Sequence, residues 1–88
     1  MDIRKVVGQN IKDARIAASM SQEELAARMD VDQGYISSLE AGKRNPTILT
    51  IWHASVALGV QTDALFKCDT ATHTSKRQSR SKLRSKAG

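Results

Sequence analysis

The segment 22–41, QEELAARMDVDQGYISSLEA, does most to limit what this chain can fold into. It reads as two short amphipathic helices joined by a tight turn. Apolar residues fall at Leu25, Met29, Val31, Ile36 and Leu39, and a small residue, Ala26, sits one turn into the first helix. Helices that cross near a right angle need both features. The apolar set pins them together, and the alanine admits the second helix close to the first. The boundaries are marked as well. Ser21 and Glu24 form a capping box, in which hydroxyl and carboxylate satisfy opposing free N–H groups. The first helix is therefore predicted at about 21–29, with Leu25, Ala26 and Met29 inward. Asp30-Val31-Asp32 reads as the turn, Asp32 as the N-cap of the second helix, and Gly42 as its stop.

The flanks continue the helical pattern. Ile3, Val7, Ile11, Ala14 and Ala18 recur at helical spacing and predict an amphipathic helix over 2–18, broken at Ser19-Met20. Lys43-Arg44-Asn45-Pro46 is a loop, because a residue before proline is pushed out of helical geometry. Thr47 is positioned to cap a fourth helix, with Ile48, Ile51, Ser55 and Leu58 on one face and Gly59 as its stop. Thr62 is positioned to cap a last short helix bearing Leu65 and Phe66. Strand alternation and internal repeats are absent.

Charge must be read by region. The chain carries 14 basic and 9 acidic residues, net +5, which points to an anionic partner, nucleic acid before a membrane surface. Residues 1–68, however, hold eight bases and eight acids. The whole surplus lies in 69–88, where Lys76, Arg77, Arg80, Lys82, Arg84 and Lys86 face only Asp69. That segment is rich in Ser, Thr and Gln, and Leu83 is its one large apolar residue, so it is expected to be disordered. The domain is accordingly assigned to 1–68 and a basic tail to 69–88. Cys68 is the only cysteine, which excludes an intrachain disulfide and fits a reducing compartment. The N-terminus lacks an apolar stretch of signal-peptide length, and no run approaches the roughly 18 apolar residues of a membrane span. A cytoplasmic protein without a membrane partner is expected.

The phrases SQEELA, YISSLEAGKRNP and ALGV, together with the two-helix unit at about 21–41, resemble the phage-repressor/Cro-like (XRE) family of helix-turn-helix proteins. The resemblance spans roughly residues 8–66. It implies an all-α, compact five-helix, lambda-repressor-like DNA-binding domain ahead of the basic tail. The implied function is sequence-specific binding of double-stranded DNA as a transcriptional regulator, a dimeric repressor of phage or restriction-modification controller type. Two positions depart from the family pattern. Asp30 stands where the turn usually carries glycine, and aspartate tolerates the left-handed conformation better than most residues. Ser55 replaces a small apolar residue, and its hydroxyl has the preceding turn within reach.

In this family the second helix of the unit enters the major groove and the first crosses the backbone. Carried over, the groove-facing positions are Asp32, Gln33, Gly34, Ser37 and Ser38. Gln33 is the strongest candidate, since glutamine bonds adenine bidentately. Gly34 offers close approach rather than readout, and Asp32 either accepts from cytosine or only caps the helix. Gln22, Tyr35, Lys43, Arg44 and Asn45 are the candidate backbone contacts. Glu40 is expected to pair with a base such as Arg15 or Arg44. Trp52 falls at the edge of the fourth helix's inner face, as core rim or as interface anchor. With Val60 and Phe66 it defines the candidate homodimer surface, which implies a palindromic operator.

Other classes fit less well. His53 lies on an outer helix face and His73 in the tail; metal-ligand spacing, a nucleotide loop and a nucleophile elbow are all missing, so neither catalysis nor a cofactor is expected. An antitoxin that joins this fold to a toxin partner is the alternative function, and a sequence-neutral binder working through its tail is a third. Cys68 reads as a passive thiol.

Overall fold

The computed structural model describes residues 1–68. They form α1 (Ile3–Ala17), α2 (Gln22–Met29), α3 (Gln33–Glu40), α4 (Ile48–Leu58) and a short 3-10 helix, Thr62–Phe66. No strand occurs among them. The expected fifth helix is thus a five-residue 3-10 helix. The tail over 69–88 lies outside the described residues.

Each α-helix starts where a side chain can satisfy a free N–H group. Asp2 accepts from the backbone N–H of Arg4, Ser21 from Glu24, Asp32 from Tyr35 and Thr47 from Thr50. At Asp2 the Arg4 guanidinium also bonds the carboxylate and holds its pKa below the usual carboxylate range. Only half of the capping box at Ser21 forms. The Glu24 carboxylate turns away to Arg28, one helical turn on, at 2.9 Å. The 3-10 helix has no side-chain cap. Its N-cap is Gln61, and the expected cap, Thr62, instead shares a 2.9 Å hydrogen bond with the buried Ser55 hydroxyl. Ser55 also donates to the Trp52 carbonyl oxygen at 2.7 Å, the back-bond its sequence position suggested.

One core joins the elements. Ile11 from α1, Leu25 from α2, Ile36 and Leu39 from α3 and Leu65 from the 3-10 helix are fully buried. Each such side chain contributes on the order of 1.5–3 kcal/mol. The α1 stripe is shorter than its sequence pattern: Val7 and Ile11 are buried and Ala14 partly so, while Ile3 and Ala18 overhang the core and are exposed. On α4 the inner face is Ile51, Ala54, Ser55 and Leu58. Ile48 was expected inward and is 82% exposed, because the first turn of α4 projects past the core edge.

Gly8 lies where α1 packs on α3. A β-carbon there would overlap the Leu39 carbonyl oxygen and stand 2.9 Å from that of Glu40. Only glycine lets the two helices approach this closely.

Candidate nucleic-acid interface

The α2–α3 turn is closed by backbone geometry. Asp30 adopts φ 61°, ψ 44°, the left-handed conformation that glycine would take more cheaply. The Val31 N–H then reaches back to the Ala26 carbonyl at 3.0 Å, and Val31 packs on the core. The reversal sets α3 across α2 with Ile36 and Leu39 inward. Gln33, Gly34 and Ser37 are exposed on the opposite face, and Ser38 is half-buried.

A hydrogen-bonded row runs from the core to that face. Arg15 and Glu40 form an ion pair, Nε to Oε2 at 2.6 Å and Nη2 to Oε1 at 3.1 Å, with the glutamate carboxylate almost fully buried. Arg15 also donates to the Met20 carbonyl at 2.8 Å, closing the α1–α2 corner. Of the two bases considered for Glu40, Arg15 is the partner. Gln22 Nε2 donates to Glu40 Oε1 at 3.0 Å, and Gln33 Nε2 donates to Gln22 Oε1 at 2.7 Å. A buried charge pair thereby orients two surface amides at the junction of α2 and α3.

The other candidate residues take distinct positions. Asp32 is exposed, but its carboxylate caps α3 through the Tyr35 N–H at 2.8 Å. Gly34 is not required by packing, since a β-carbon there would meet only the Asp32 carboxylate, at 3.6 Å. Gly42, at φ 77°, ends α3 and turns the chain so that Lys43, Arg44 and Asn45 are exposed. The Arg44 guanidinium lies 5.1 Å from the centre of the half-buried Tyr35 ring, a cation–π contact that the sequence alone did not suggest.

A second surface lies away from α3. Trp52 is half exposed and neighbours His53, their ring centres 5.3 Å apart. Phe66 is also exposed and shares a groove with Ile48 and Ile51, whereas Val60 is partly buried against the core. The sequence reading missed Leu49 and Val56, both exposed on α4. Among the described residues no helix is long and apolar enough to cross a membrane.

Comparison with known proteins places this architecture. A helix-turn-helix family model, HTH_3, matches residues 11–65. A 60-residue stretch is 48% identical to the HTH-type transcriptional regulator y4dJ of Sinorhizobium fredii, covering 68% of this chain and 78% of that protein. Control protein C.BamHI of Bacillus amyloliquefaciens is 44% identical over 61 residues, covering 68% and 75% of the two chains. The crystal structure of the restriction-modification controller protein C.AhdI from Aeromonas hydrophila superposes with a TM-score of 0.69 at 32% identity, covering 72% of this chain and 91% of that one.

Proposed function

The chain belongs to the helix-turn-helix family of DNA-binding transcriptional regulators, and from that premise we propose that α3 reads the major groove as one half of a two-fold dimer. The oriented Gln22–Gln33 pair carries the proposal. A glutamine amide has two N–H donors and a carbonyl acceptor. One Gln33 N–H is taken by Gln22, which leaves the other N–H and the carbonyl for the ring nitrogen and amine of adenine. One Gln22 N–H is taken by Glu40, which leaves its second for a phosphate. By donor and acceptor count, both contacts leave the row intact.

The remaining roles follow from position. Ser37 and Ser38 donate or accept at base edges. Gly34 keeps the helix surface low where the base pairs approach. Asp32 presents its carboxylate at the groove end of α3, where it accepts from cytosine or serves only as the cap. Lys43 and Asn45 reach phosphates from the loop. Tyr35 contributes its hydroxyl to the backbone and its ring face to Arg44.

A single module spans too few base pairs for useful selectivity, so the operator is a palindrome bound by a homodimer. Trp52 and Phe66 supply exposed apolar area for that contact, and Val60, partly buried against the core, is its third candidate. The likeness to C.BamHI and C.AhdI favours a controller-type regulator, and a cytoplasmic location goes with that reading. The antitoxin alternative draws no support from these relatives. Selection of bound sites from random duplex DNA tests the proposal. Two half-sites about one DNA turn, roughly 34 Å, apart are expected. Recovery of no enriched sequence would overturn it.

A further inference from the structure

On the reading of α3 as the groove helix, we propose that α1 supplies a separate pair of phosphate contacts, Lys5 and Lys12, to the DNA strand bordering that groove. Neither residue belongs to the helix-turn-helix unit. The packing of α1 against α3 nevertheless brings them to the same face. Lys5, Gln9 and Lys12 form one wall of an open, polar concavity of about 510 Å³, and Gln22, Ser37 and Glu40 form the other. Gln22 and Ser37 are already members of the DNA-facing surface, so a strand gripped by Gln22 passes the α1 wall.

The charge pattern selects an anion for this concavity. Residues 1–68 are neutral in sum, but their bases are not equivalent. Arg4, Arg15 and Arg28 are each paired to a carboxylate at 3.0 Å or closer. Lys5 and Lys12 make no such ion pair among the described residues. The one carboxylate lining the concavity, Glu40, has both oxygens engaged by Arg15 and Gln22. Asp13, further along α1, accepts the Gln9 amide at 2.9 Å. Two uncompensated ammonium groups therefore border a wall whose only acid is neutralised.

Geometry selects a polyanion over a small one. Lys5 and Lys12 are seven residues apart on one helix, about 10.5 Å along its axis. That is wider than one small anion spans, whereas a DNA strand offers a continuous row of phosphates over such a length. The Lys5 stem is also held in place: a β-carbon on Gly42 would lie 3.0 Å from the Lys5 α-carbon, so this lysine is packed against the end of α3, beside Lys43 and Arg44. Lys5, Lys43 and Arg44 thus border one end of α3, and Lys12 extends the basic surface along α1.

Binding of the full-length protein to its selected site and to a random duplex, measured across salt concentration, tests this. Lys5→Gln combined with Lys12→Gln should flatten the slope of log affinity against log salt by about 1.8 per subunit on both duplexes, at about 0.9 per lost contact. Lys12→Gln alone should remove about half of that, and its exposed side chain leaves the fold intact. The ratio of specific to random affinity should not move. Arg28→Gln, whose charge is already taken by Glu24, should leave the slope unchanged. An unchanged slope in the lysine variants overturns the proposal, and so does a changed base preference, which would make the lysines base readers. Failure of the α3 reading looks different: Gln33→Ala would then leave base preference intact.

Discussion

The Gln33 side-chain amide donates to the Gln22 side-chain oxygen, Oε1, at 2.7 Å, across the turn between α2 and α3. The two residues assigned to base and backbone contact are therefore one mechanical unit, and their variants should differ in kind. Gln33→Ala should cost about 1–3 kcal/mol at the selected site and relax preference at one base pair per half-site. Gln22→Ala should weaken binding to every duplex and relax the same base pair only partly, because Gln33 loses its support. Competition binding against single-base operator variants separates the two patterns. Equal losses on cognate and random DNA for Gln33→Ala would make it a backbone contact.

Behind that pair, Glu40 is almost fully buried and receives hydrogen bonds from Arg15 and Gln22. Glu40→Ala leaves the Arg15 guanidinium uncompensated and should cost about 3 kcal/mol or more in denaturant unfolding. Replacing Arg15 and Glu40 together by methionine should restore most of that stability, since an apolar pair of similar volume avoids the desolvation penalty. DNA affinity should stay low in the double variant, because Gln22 has lost its anchor. Recovery of both stability and affinity would show that the ion pair does not orient the interface.

The helix-turn-helix unit was legible in the sequence because its signals are local. Ser21, Asp32 and Thr47 cap through their own backbone neighbours, and Asp30 takes the left-handed turn through its own φ. Long-range pairings were less visible. That Glu40 meets a base could be expected, but the choice of Arg15 depends on how α1 crosses α3. Periodicity misplaced Ile48, because it reports the face of a helix and not where the core ends. It also gave no sign that Thr62 would turn to Ser55, a choice set by a buried hydroxyl needing a partner. The Arg44–Tyr35 contact and the meeting of the Lys5–Lys12 wall with Gln22 and Ser37 arise from packing between segments, for which spacing along the chain carries no signal.

Gly8 was the available clue to helix packing, a glycine inside a helical pattern where its cost needs a reason. Two effects compete in Gly8→Ala. Helix propensity alone favours alanine by about 1 kcal/mol. Against it, the new methyl meets the Leu39 and Glu40 carbonyl oxygens, which are backbone and cannot swing aside. Overpacking of this kind costs about 1–3 kcal/mol, and more when backbone must move. The clash should win, for a net loss of about 2 kcal/mol. For a domain of this size that corresponds to a fall of about 8–16 °C in Tm by calorimetry. A stabilised variant would mean that α1 and α3 lie further apart than described.

The apolar surface on α4 gives the final prediction. Ile48, Leu49, Trp52 and Val56 all leave substantial area exposed, and Trp52 sits between the others along the helix. A large aromatic at the centre of an apolar patch is the kind of residue on which an interface depends, commonly at 2 kcal/mol or more on truncation. Trp52→Ala should therefore raise the dimer dissociation constant about thirtyfold or more. Val60→Ala should act mainly on unfolding, because its side chain packs inward. Sedimentation of the wild type and both variants, alone and with operator DNA, distinguishes these effects. A monomer under both conditions at tens of micromolar would remove the dimer from the mechanism. A dimer unmoved by Trp52→Ala would shift the contact to the groove shared by Ile3, Ile48 and Phe66, where Phe66→Ala becomes the discriminating variant.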